Sequence, residues 1–135
     1  MSFMRDLLEK PATLSAASKY TVANGLIYLA SGALLIVWPS AVQTLLMDPP
    51  FGGHEKALFR VIGMTVAVIG WLYLFGGRTG ARQFAACTAF DRLILVPAVL
   101  VPVAIAGVFP HTFLAFALLD VALAIGVLLL HRRAT

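Results

Sequence analysis

Residues 81–109 are apolar nearly throughout, yet they carry Asp91 and Arg92 side by side. Their length and hydrophobicity suit a helix crossing a bilayer core, which takes roughly 20 apolar residues. Charges well inside such a span are costly, so both must face protein or water rather than lipid. A chain built around this stretch therefore needs further spans that offer polar partners.

The rest of the chain can supply them. Of its 135 residues, 61% are hydrophobic and only 12% charged, with a mean hydropathy of +0.95. Soluble domains are nearer half apolar and about a quarter charged. A soluble fold of this size has no room to hide so much apolar surface, so the chain reads as a single integral membrane domain. The net charge of +4 does not point to nucleic acid, because the bases cluster at span ends, where membrane topology accounts for them. Cys87 is alone, which excludes an intrachain disulfide, and its apolar setting predicts a buried, inert thiol.

Residues 1–10 predict a short amphipathic helix, with Phe3, Met4, Leu7 and Leu8 opposite Arg5, Asp6, Glu9 and Lys10, ended by Pro11. Residues 20–38 form the first span, whose apolar run exceeds the roughly 7–15 residues of a signal-peptide core. Asn24, Tyr28, Ser31 and Leu35 recur there at helical spacing, with Gly25 and Gly32 as a surface for close helix approach. Pro39 breaks the helix. Ser40-Ala41-Val42-Gln43 then has the form of a capping box and predicts a short interfacial helix over 41–47. The second span covers 57–75, with Arg60, Gly63, Ala67 and Gly70 on one face and Trp71 and Tyr73 near its exit. The third, 83–108, contains Pro97 and Pro102, which predict a kink between Leu93 and Pro102. The fourth, 112–130, places Asp120 near its middle between Ala117 and Ala124. The fold class is thus an all-α transmembrane four-helix bundle.

Counting bases orients it. Arg5, Lys10, Lys19, Arg78, Arg82, Arg132 and Arg133 fall on one side of such a bundle and Lys56 on the other, so both termini are expected in the cytoplasm. Folding the hairpins about their turns brings Arg60 and Asp120 to similar depth on different helices. This predicts a direct salt bridge between them, with Arg92 as the competing partner for Asp120. Asp91 and Arg92 lie about one hundred degrees apart on their helix and need separate partners, Tyr28 and Asn24 being the nearest.

Arg60, Asp91, Arg92 and Asp120 form the candidate intramembrane charge network. Asn24, Tyr28 and Trp71 are the candidate ligand-facing residues. The four charges sum to zero, which suits either a structural network or a gated polar cavity. No CxxC, HExxH or glycine-rich phosphate loop occurs, and His54, His111 and His131 all sit at span ends. No metal, cofactor or catalytic residue is expected.

The segments Phe59-Arg60-Val61-Ile62-Gly63, Gly70-Trp71-Leu72-Tyr73, Phe90-Asp91-Arg92 and Leu118-Leu119-Asp120 resemble those of small four-span bacterial membrane proteins of the BphX-like and DoxX-like type. The resemblance covers about residues 57 to 130. It implies a four-helix bundle in a bacterial inner membrane, and no reaction. Small multidrug transporters also have four spans, but their first-span Glu has no counterpart here. The expected function is non-enzymatic: an accessory bundle, or one binding a lipid-like small molecule. The alternative is a proton- or ion-coupled transporter using Asp91 or Asp120. Expected partners are membrane lipid, a hydrophobic small molecule or a partner membrane protein, including a further copy of the chain.

Overall fold

The computed structural model describes residues 3–9, 11 and 13–133; Met1, Ser2, Lys10, Ala12, Ala134 and Thr135 lie outside that description. The described part of the N-terminal segment holds a short helix, α1 (Phe3–Leu8), with Phe3, Met4 and Leu8 exposed. Every described element is helical: α2 (Ala16–Val37), α3 (Pro39–Leu45), α4 (Glu55–Arg78), α5 (Arg82–Phe90), α6 (Val96–Ile105) and α7 (Pro110–Arg133). A π-helical segment, Asp91–Leu95, joins α5 to α6. Four helices are long and apolar enough to cross a membrane: α2, α4, the continuous rod Arg82–Ile105, and α7. Each begins before the apolar limit of its sequence segment, because helices continue through polar residues at the interface, but the third ends at Ile105, short of the expected 108. The Ser15 hydroxyl starts α2 by accepting from the Ser18 amide at 3.1 Å.

The α2–α4 interface is built on small residues. A Cβ placed on Gly32 would lie 2.5 Å from the Ala67 amide nitrogen, and one on Gly70 would lie 2.5 Å from that of Leu29. Backbone therefore meets backbone, the packing available to helices in lipid, where no hydrophobic force drives them together. α7 packs on α5, α6 and α2, whereas α4 and α6 do not pack on each other along their length.

Two local expectations are corrected. The capping box at Ser40 does not form: α3 begins at Pro39, whose fixed φ suits the first helical position, so Ser40 lies inside the helix. Gln43 donates to the Asp48 carbonyl instead. Cys87 is exposed on α5, because Ala85, Thr88 and Ala89 take the inward face. In the third span, the irregularity expected from its prolines takes the form of the π segment. Pro97 has no amide hydrogen to give Leu93, and the Val96 amide reaches back five residues to the Asp91 carbonyl.

One end of the bundle is closed by aromatic rings. Phe59 lies 4.8 Å from Phe51, 4.7 Å from Phe109 and 5.9 Å from Phe113, centroid to centroid. Asp48 anchors the same end. Its carboxylate accepts from the amides of His111 (3.1 Å) and Thr112 (2.7 Å) and from the Thr112 hydroxyl (2.5 Å). It thus caps α7 from the loop after α3 and fills a site that a helix N-terminus provides for an anion. Burial pushes the Asp48 carboxyl up, but the bonds from Thr112 and His111 outweigh it and hold the group below the usual carboxylate range.

Candidate functional site

Arg92 is 1% exposed and lies at the centre of the polar interior. Its Nε donates to the Thr88 carbonyl at 2.7 Å and its Nη2 to the Thr88 hydroxyl at 3.2 Å, one helical turn back. With the Asn24 amide oriented to satisfy both of its ends, its oxygen accepts from Arg92 Nη1 at 3.0 Å and its nitrogen donates to the Tyr20 carbonyl. The guanidinium carbon sits 4.9 Å from the Tyr73 ring centre and 5.8 Å from that of Tyr28. The two rings meet edge to face at 5.6 Å. A guanidinium between two π faces gains a cation–π attraction that strengthens away from water.

Each of those tyrosines serves a different carboxylate. The Tyr28 hydroxyl donates to Asp120 on α7. The Tyr73 hydroxyl donates to both oxygens of Asp91, at 3.1 and 3.0 Å. No carboxylate among the described residues lies within 4.0 Å of Arg92, so the centre is not a salt bridge. It is a cation faced by two rings whose hydroxyls hold two carboxyl groups. The π segment matters here. A wider turn sets successive side chains closer in direction, so Asp91 and Arg92, neighbours in sequence, both reach the same space.

That space is a cavity of about 320 Å³ between α4 and α6. Tyr28, Tyr73, Asp91, Arg92 and Asp120 form its polar end, and Ile, Val, Leu and Phe side chains form the remaining wall. Leu95 and Val99 line it while each is 62% exposed, so it opens sideways toward lipid where α4 and α6 part. Phe116 lines this cavity and also a second one of about 340 Å³ between α2, α3 and α7, whose single polar lining residue is Ser31.

Two of the expected site residues lie elsewhere. Arg60 is exposed and does not meet Asp120, whose partner is Tyr28. Two reasons combine: Phe59 takes the inward position on α4, so the next residue points about 100° away, and Arg60 lies a turn beyond Gly63, which packs at Gly32 and Leu35, whereas Asp120 meets Tyr28 on the other side of that level. Near the start of α4, an exposed arginine can extend its head to the interface. Trp71 is 47% exposed, packs on Phe75 at 4.5 Å and does not line the cavity; Gly70 takes the inward turn before it. Asp91, Arg92 and Asp120 do converge, and Asn24 and Tyr28 join them. Tyr73, Thr88 and Asp48 were missed. For Tyr73 a signal existed, since it continues the buried Gly63 and Gly70 stripe by three residues.

No family model, curated protein or solved structure matches the chain.

Proposed function

We propose that this integral membrane protein binds a hydrophobic small molecule from the bilayer in the cavity between α4 and α6, without transforming it. The bundle sits with both termini in the cytoplasm, in a bacterial inner membrane. The observation that carries the reading is the cavity itself: apolar walls, one polar end and a lateral opening. Pockets of this size and make-up fit small ligands, with a few convergent polar groups fixing orientation. The apolar part of the ligand lies along Ile62, Val66 and Val99, and its head meets Asp91, Arg92 and Asp120.

A decanol carrying a diazirine on its chain tests this. Photolysed with the protein in lipid nanodiscs, it should label half-buried Val66, Leu100 or Phe116 in preference to exposed Leu72 and Leu118. Even labelling of cavity and outer surface would overturn the reading. Coupled transport is the second reading, favoured by the two carboxylates that meet one guanidinium at the cavity's end.

A further inference from the structure

The polar end of the cavity is unbalanced in charge. With Arg60 exposed elsewhere, the groups facing one another are Tyr28 and Asn24 from α2, Tyr73 from α4, Thr88 from α5, Asp91 and Arg92 from the π segment, and Asp120 from α7. That is two carboxylates against one guanidinium. An uncompensated charge away from water is costly, so such a site takes up a proton or a cation.

The two signs are not equally available. Arg92 is already committed to Thr88 and Asn24, and its faces lie against two tyrosine rings. A carboxylate can accept at about four lone-pair positions, yet Asp120 and Asp91 each receive bonds from one tyrosine hydroxyl. Three of the five guanidinium N–H donors are thus used, and the unused acceptors of the two carboxylates outnumber the donors left. An anionic head would have to share a bound guanidinium while sitting beside a carboxylate of like charge.

We infer that the occupant of this cavity is a single-chain amphiphile with one positive charge, and that it enters in exchange for one proton held by the Asp91 and Asp120 pair. This rests on reading the cavity as a hydrophobic binding site. In the exchange, the O–H bond of one carboxylic acid breaks, its proton leaves to water and the carboxylate pairs with the incoming cation. No electron moves. The apolar wall takes the chain, so one probe measures both halves of the site.

Decyltrimethylammonium is the suitable probe, because its charge is permanent and any proton released must come from the protein. Calorimetric titration into nanodisc-embedded protein, in two buffers of different ionisation enthalpy and with empty nanodiscs subtracted, counts the protons. One proton should leave per cation bound. Affinity should fall about tenfold per unit of pH below the range where the cluster loses its proton. Asp120→Asn should weaken the cation at least about tenfold more than it weakens decanol and end the proton release. Asp91→Asn gives the same readout if the first variant does not fold. Cation and decanol binding alike with no proton released would overturn the exchange and leave the hydrophobic site standing. Tighter binding of decanoate would also overturn it. Failure of all three probes to bind would overturn both readings.

Discussion

Asp48 and Asp120 are both buried carboxylates, at 4% and 8% exposure, but their surroundings differ in kind. Asp48 accepts two backbone amides and a hydroxyl at the start of α7, so its charge is met by donors that folding itself supplies. Asp120 accepts one tyrosine hydroxyl, and Asp91 likewise depends on one tyrosine. Saturated with donors, a buried carboxylate holds structure together. Left short of them beside a cavity, it retains capacity for something else. Burial alone does not tell the two apart; the count of donors does.

The largest expected effect comes from removing the cation between the two under-supplied carboxylates. Arg92→Met leaves buried Asp120 and half-buried Asp91 without the nearby guanidinium and strips Asn24 and Thr88 of their donor, and should cost about 3 kcal/mol of stability in detergent unfolding. Adding Asp120→Asn should recover much of that. A loss below about 1 kcal/mol would mean that Arg92 does not balance the pair, and the contrast with Asp48 would lose its basis.

Asp48→Ala should cost about 2 kcal/mol, since it uncaps α7 and leaves the Thr112 hydroxyl and two amides without their acceptor. Acid gives a second readout. The folded-state pKa of Asp48 is lowered, so its stabilisation is present above the unfolded value of about 3.9 and is lost as pH falls through the folded one. The melting temperature should therefore drop on the acid side, and Asp48→Asn should flatten that slope. An unchanged slope in the Asn variant would show that Asp48 is not the group responsible.

Asp91→Asn should be milder, under about 1 kcal/mol, because the amide oxygen still accepts from Tyr73. A loss as large as that of Asp48→Ala would place Asp91 among the structural carboxylates. Smallest of all is Arg60→Gln, expected within about 0.5 kcal/mol of the parent because the side chain is exposed. A severe loss there would revive a buried role for Arg60.

Sequence alone determined the membrane character, the four spans and the small-residue surfaces at Gly25, Gly32, Gly63 and Gly70. These follow from local quantities: apolar length, positions of Pro and Gly, and a 3.6-residue period that survives any arrangement of neighbours. It also singled out Asp91, Arg92 and Asp120, because charge within an apolar run is visible without a fold. Partner choice was decided by tertiary structure. Neither depth nor rotation about each helix axis was fully legible: hairpin folding set Arg60 level with Asp120, whose partner is Tyr28, and one residue of rotation separates inward Phe59 from exposed Arg60 and inward Gly70 from Trp71. Glycine contacts between α2 and α4 set that rotation for α4, turning Tyr73 toward Asp91. Asp91 and Arg92 do take separate partners, as their angular separation required, but the tertiary structure chose them: Tyr73 for Asp91, and Thr88 and Asn24 for Arg92. Asp48 was hidden for a similar reason. Its partners lie more than sixty residues away on α7, and only the closure of that end of the bundle brings them together.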